Sequence, residues 1–357
     1  YTHCLFMDDD ASTESECILR TFNLLQYSND GGLAITGTML FEEKKNIIHE
    51  NGAFANKYIF PLDHGKNTLF IENLVKCGAE EITYGAWWFF AFPLSHVKIF
   101  PFPFFVRGDD ISFGISNHFK ILSINGICSW QEDFKNKNNS MTHYLSVRSN
   151  AVIMLNFSNI FGLIPFLKGF IFSVFKGVLT NNYDQSNIAL KAYKDIIFDS
   201  DMWLNDMDMS VKRAEIKEKI NYEVYEDYYH DFSSLVVDYG VEKKCNESFL
   251  LKFLRVVTLN GLLIPSIFYR NDFLFVPKNH YRLSDVFLRK NILYIDVNNG
   301  KAFHAVHNKI VSFKIILNLF IYFIVLLFLY PILNKSYSRK YDNLTKKDFW
   351  LKKLDLG

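Results

Sequence analysis

The first ten residues, YTHCLFMDDD, constrain the chain most: an apolar run ends in three consecutive carboxylates. Leu5, Phe6 and Met7 read as the end of a buried strand, with Asp8, Asp9 and Asp10 at its carboxyl edge. In an open α/β sheet that edge is where ligands bind. Side chains alternate along a strand, so Asp8 and Asp10 are expected to point one way and Asp9 the other. Two carboxylates converging on one point suit a hard divalent cation that can bridge to a diphosphate. A plainer reading competes: Thr13-x-x-Glu16 has the form of a capping box, and acids are favoured at a helix start.

With 357 residues the chain can bury two or three cores. A formal net charge of +1 supplies no global field for nucleic acid. The five cysteines (Cys4, Cys17, Cys77, Cys128, Cys245) are odd in number and lack metal-ligand spacing, as in a reducing cytosolic compartment. The chain begins inside what reads as a core strand, without an initiator Met or signal-like leader. The first part of a catalytic domain is therefore expected to precede it.

Residues 13–27 read as a helix with Ile18, Phe22 and Leu25 on one face, stopped by Asn29-Asp30-Gly31-Gly32. Residues 33–41 read as a strand and 43–57 as polar and irregular. Residues 82–93, ITYGAWWFFAFP, are apolar on both faces, as in a central strand. Residues 100–110 repeat the opening theme, with PFPFFVR, Gly108 and then Asp109 and Asp110. A short strand over 120–127 leads to Ser129-Trp130-Gln131-Glu132-Asp133. Helical periodicity follows over 144–155, 160–179 and 186–198, then a charged, Tyr-rich stretch over 206–231. Residues 291–305 form a hairpin pattern turning at Asn298-Asn299-Gly300. The expected division is an α/β catalytic domain over 1–150 and a mainly α-helical region with a small β-hairpin over 151–357.

Three elements fall in order: Asp8-Asp9-Asp10, Trp87-Trp88 and Asp109-Asp110. Together with Tyr84-Gly85-Ala86-Trp87-Trp88 before Pro93, PFFVRGDD, SWQEDFKNK, Tyr144-x-x-x-Arg148, Leu259-Asn260-Gly261 with Pro265, and Lys347-Asp348-Phe349-Trp350, this set resembles the inverting family 2 glycosyltransferases. The nearest branch is the galactan-type galactofuranosyltransferases, which have a GT-A (Rossmann-like) catalytic domain and a helical C-terminal region.

The resemblance implies transfer of a sugar, galactofuranose in the nearest branch, from a UDP-linked nucleotide-sugar donor to a cell-surface glycan or lipid-linked glycan. Asp8 and Asp10 would hold Mn2+ or Mg2+, with Gln131 standing where the family has a metal-binding His. Asp110 would be the general base and Asp109 a hydroxyl-binding neighbour. Two adjacent acids raise each other's pKa, which suits a base working near neutrality. Asp9 and Arg148 would contact the donor. Trp87, Trp88 and Tyr84 would meet the acceptor, with at most one Trp facing the cleft.

Gln131, Ser112, Ser116 and Ser149 depart from the family pattern. They motivate an alternative, a degenerate non-catalytic relative that binds glycan or scaffolds a membrane assembly. An Asp-rich phosphohydrolase is disfavoured, because no Gly-rich phosphate loop is present.

Residues 315–333 are nineteen in a row without a charge, long enough to cross a bilayer, which takes about 17–25. A basic tail follows, from Lys335 to Lys353, and positive-inside logic places it in the cytoplasm. A single crossing would then put the acids outside, away from nucleotide-activated substrates. A helix lying in the membrane interface avoids that conflict, so a peripheral position on the inner face of the cell membrane is expected. Residues 160–178, with Lys168 and Lys176 among Phe, Leu and Ile, read either as interfacial or as a buried helix with two snorkelling lysines.

Overall fold

The computed structural model describes residues 1–76, 81–227, 247–278, 281–297 and 299–355. The chain is mixed α/β and forms two compact units. The first comprises residues 1–134, 152–166 and 331–357, and the second 135–151 and 167–330. Packing therefore does not divide at residue 150. The C-terminal segment belongs to the first unit because its aromatics are used there. Tyr341 stacks on Phe102 at 5.6 Å, and Trp350 Nε1 donates to the Pro101 carbonyl at 3.0 Å.

The first unit is built on a six-stranded mixed sheet. Its strands are β1 (His3–Phe6), β2 (Ser12–Thr13), β3 (Leu33–Phe41), β4 (Ile48–Glu50), β7 (Phe90–Pro93) and β8 (Lys120–Gln131); β5 (Ala53–Asn56) and β6 (Tyr58–Pro61) form a separate hairpin. The order is β1-β7-β3-β8-β2, with β4 beside β3. β3 and β8 run parallel, and the other pairings run antiparallel. The apolar run LAITGTMLF makes β3 the central strand, with Ala34, Ile35 and Met39 fully buried.

Helix α1 (Ser15–Tyr27) forms as expected, and its inward face is shifted. Cys17 and Thr21 are buried and Leu25 packs against the core, while Ile18 and Phe22 are exposed. The capping box does not form either. Thr13 is taken into β2 opposite Ser129, where its hydroxyl donates to the Cys128 carbonyl. Residues 82–93 are a strand only from Phe90 on, because the chain turns through Trp87 and Trp88 first. Residues 100–108 are not a strand; they lead through irregular backbone to α3 (Asp109–Asn117), after the short α2 (Ile71–Lys76).

Helices α4 (Ser140–Asn156), α5 (Leu163–Leu179) and α6 (Tyr183–Phe198) match the expected periodicity; the short α7 (Met202–Asn205) and α8 (Ser210–Glu218) follow. The charged stretch over 206–231 contains α8 and the two-residue β9 (Glu226–Asp227), and residues 228–231 lie outside the described residues. The second unit also carries a four-stranded sheet, ordered β10 (Arg270–Pro277), β11 (Arg289–Asp296), β12 (Lys301–Val306), β9. The expected hairpin is β11–β12, and Asn298 of its turn lies outside the described residues, as do Cys77 and Cys245. The helix Lys309–Leu344 is long and apolar enough to cross a membrane: its most apolar stretch has a mean hydropathy of 2.6, and 11% of that stretch is buried.

Candidate active site

The opening acids do not continue a strand. β1 ends at Phe6, and the chain turns so that the Ala11 N–H donates to the Asp8 carbonyl at 3.2 Å. Strand alternation therefore cannot align Asp8 with Asp10. Asp8 is half-buried, and Asp9 and Asp10 are exposed. Asp10 accepts a hydrogen bond from Gln131 Nε2. Gln131 reaches it because β8 runs four residues beyond the expected end at 127, pairing with Phe41 of β3 at its last position. The Gln131 Oε1 is buried and has no hydrogen-bond partner among the described residues.

Asp109 and Asp110 are delivered by a sharp reversal. Arg107 (φ 67°) and Gly108 (φ 94°) are both left-handed, and Gly108 caps α3. A non-glycine residue in that region is strained, which is a common mark of functional turns. The two acids then occupy the first turn of α3, where the helix dipole favours negative charge. Burial opposes the dipole. Burial pushes the Asp110 carboxyl up to about 8, with the charges of Asp109 and Asp8 adding to it, against a bond from the Ile111 N–H at 2.7 Å. Asp109 is likewise raised by burial and by Asp8.

Glu50 completes the cluster. It is buried at the end of β4, and burial with the Asp110 charge pushes it up to about 8. Its Oε1 has no hydrogen-bond partner among the described residues. The Tyr84 phenol lies in the same field: burial raises its pKa, and the Glu50 and Asp110 charges raise it further. Helix α3 sits directly on this tyrosine. A Cβ at Gly114 would come within 2.4 Å of the Tyr84 Cβ, so only glycine permits the approach. Ser112 and Ser116 fasten the same helix. The Ser112 hydroxyl donates to the Asp109 carbonyl at 3.1 Å, and that of Ser116 lies 2.6 Å from the Tyr341 hydroxyl.

The paired tryptophans face opposite ways. Trp87 is half-buried, edge-on to Phe6 at 4.7 Å and to Phe113 at 5.8 Å. Trp88 is buried beside His49 at 5.8 Å and Phe134 at 5.9 Å. Both indole N–H groups are buried without an acceptor among the described residues. Of the three residues expected to meet an acceptor, Trp88 and Tyr84 are interior and Trp87 keeps open surface. Arg148 is fully buried in the second unit, its guanidinium 4.4 Å from the Trp203 ring centroid, which gives it a packing role there.

Glu50 and His49 are the site residues that sequence reasoning missed. They lie in the stretch read as irregular, where a two-residue apolar start, Ile47-Ile48, was the one hint of β4. Asn51 then fixes the strand end, accepting from Thr38 at 2.7 Å and donating to Asp63 at 2.7 Å.

Among the described residues no three His, Cys, Asp or Glu side chains are grouped to hold an ion by themselves. An ion at Asp8 and Asp10 would need the Gln131 carbonyl oxygen, the buried atom that lacks a partner. Three oxygen donors of this kind suit a hard divalent cation. No family model matches this chain, and no curated protein matches it.

Proposed function

We propose that the chain is a metal-dependent inverting glycosyltransferase of the GT-A type, working on a nucleotide sugar at the inner face of the cell membrane. The observation that carries this reading is the shared field of Asp8, Asp109 and Asp110, acids from distant parts of the sequence: the charge of Asp8 raises both Asp109 and Asp110, and that of Asp109 raises Asp110. Asp110 accepts the proton of the acceptor hydroxyl as that oxygen attacks the anomeric carbon. A base near 8 holds that proton well once ionised, which is what general-base catalysis near neutrality needs. Asp109 hydrogen-bonds a neighbouring hydroxyl, and Trp87 offers its ring to an apolar sugar face. Asp9, exposed on the turn, would contact the donor. A divalent ion, Mn2+ or Mg2+, would be held by Asp8, Asp10 and Gln131 Oε1 and would offset charge on the departing diphosphate. The long apolar helix and the basic tail support the membrane placement. The galactofuranose donor and the glycan or lipid-linked glycan acceptor follow from the resemblance.

The test is release of nucleoside diphosphate and formation of an inverted linkage by the full chain with either ion. Asp110→Asn should lower transfer by roughly 10²–10⁴-fold while keeping the fold and donor binding. Wild-type turnover in that variant would refute the base assignment.

A second reading has its own observation. The Gln131 amide is engaged with Asp10, Ser112 is tied into α3 and Ser116 is bonded to Tyr341, so these three departures from the family pattern serve structure. A non-catalytic relative that binds glycan or scaffolds a membrane assembly would release no nucleoside diphosphate with either ion. Clear turnover removes that reading.

A further inference from the structure

Two cavities of the second unit share a wall. One, of about 280 Å³, is polar and is lined by Lys135, Lys176 and Lys278 with Tyr225, Tyr281 and Tyr294. The other, of about 480 Å³, runs along α5 over Ile171, Phe172, Phe175 and Leu179, with Lys168 on its lining. Lys176 and Leu283 line both. We propose that the two form one site for an anionic membrane phospholipid, the phosphodiester head in the polar cavity and an acyl chain in the apolar trough. The inference rests on the membrane placement proposed above and not on glycosyl transfer.

Charge decides what the polar cavity takes. The one carboxylate among its described lining residues, Glu223, is already occupied, accepting from the Ser140 N–H at 2.9 Å and from the Tyr225 hydroxyl at 2.7 Å. Lys278 is paired with Asp296 at 2.6 Å. Lys176 has no ion pair or side-chain hydrogen bond among the described residues, and it stands where the polar cavity meets the trough. A cation held beside apolar surface gains from an anion brought to it. A phosphate on a hydrocarbon chain supplies both halves, whereas a soluble phosphate would leave the trough in water.

Helix geometry favours a lipid over a peptide. Positions 168, 171, 172, 175, 176 and 179 recur at spacings of three and four, so they share one face of α5. That face is open, with Phe172 69% exposed, while Phe170 and Val174 on the other side are fully buried. One face of the helix is thus packed into the unit and the other is exposed. An exposed apolar stripe flanked by lysines is the pattern of a helix lying in a headgroup layer.

Sedimentation of the full-length protein with phosphatidylcholine vesicles, with and without phosphatidylglycerol, tests the site. Phosphatidylglycerol should strengthen binding. Lys176→Gln should weaken that gain roughly fivefold, the effect of about one lysine at an anionic surface. Leu283→Trp fills the junction without changing charge, so it should remove a comparable share. Neither variant should alter binding to phosphatidylcholine alone. Equal binding of the wild type to both vesicles, or an undisturbed gain in Leu283→Trp, overturns the site and leaves membrane association standing. Failure to bind either vesicle overturns both.

Discussion

Each unit contains a cluster of charged side chains, and the two are built on opposite principles. In the second unit Lys191, Lys212 and Lys219 interleave with Asp195, Asp199 and Glu215, with N–O distances of 2.8–3.0 Å at Lys212–Asp199, Lys212–Glu215, Lys191–Glu215 and Lys219–Glu215. Burial alone would raise Glu215, but hydrogen bonds from the three lysines outweigh it and hold the carboxyl at about 2. In the first unit burial raises Asp109, Asp110 and Glu50; the charge of Asp8 raises Asp109 and Asp110 further, that of Asp109 raises Asp110, and that of Asp110 raises Glu50, so that two of them stand near 8. A paired network is what stability selects. Acids pressed together against their own solvation are held by the rest of the fold, and such pKa values concentrate at functional sites.

The largest effect expected from breaking this contrast is on chemistry. Asp8→Asn should cut transfer by roughly a hundredfold or more, because it removes a proposed ion ligand, a contact worth several kcal/mol in the transition state. The thermal midpoint should hold or rise, since a charge that destabilises Asp109 and Asp110 has gone. In the second unit the sign reverses. Lys212→Met leaves Asp195, Asp199 and Glu215 without their shared cation and should cost about 3 kcal/mol by denaturant titration, with turnover per folded molecule unchanged.

Stability should also respond to pH with opposite slopes. Asp110 and Glu50 are raised on folding, so the native state binds more protons than the unfolded chain between about 4 and 8. Their contribution is most favourable below 4 and is lost as pH rises through 8. Glu215 is depressed, so its contribution is present above about 4.5 and is lost as pH falls through 2. Unfolding midpoints measured without divalent ions should show the alkaline loss in the wild type and less of it in Asp110→Asn. Identical alkaline limbs would mean that the first cluster is not strained. The smallest effect belongs to Trp87→Ala, which should raise the acceptor KM roughly fivefold with little change in kcat, as loss of one stacking surface does.

The sequence carried the strand over 33–41, though not its central place in the sheet, the helices α4 to α6 and the β11–β12 hairpin, because each is written in local periodicity or in a turn signal. It did not carry the arrangement. Strand alternation does not relate Asp8 to Asp10, because a turn, not a strand, follows Phe6. Glu50 was hidden because its neighbours look like a loop until β3 pairs with them. The claim of the C-terminal segment on the first unit depends on Tyr341 and Trp350 meeting Phe102 and Pro101 from far along the chain, which no local window can hold. Arg148 had motif spacing and turned out to stack in a core.

The pH dependence of transfer by the wild type and by Asp109→Asn tests most directly whether these crowded acids do the chemistry. The wild-type rate should climb on an acidic limb as Asp110 ionises. That limb should move to lower pH in Asp109→Asn, because the nearest charge raising Asp110 has been removed. Superimposable limbs in the two proteins, or a rate indifferent to pH, would contradict the account.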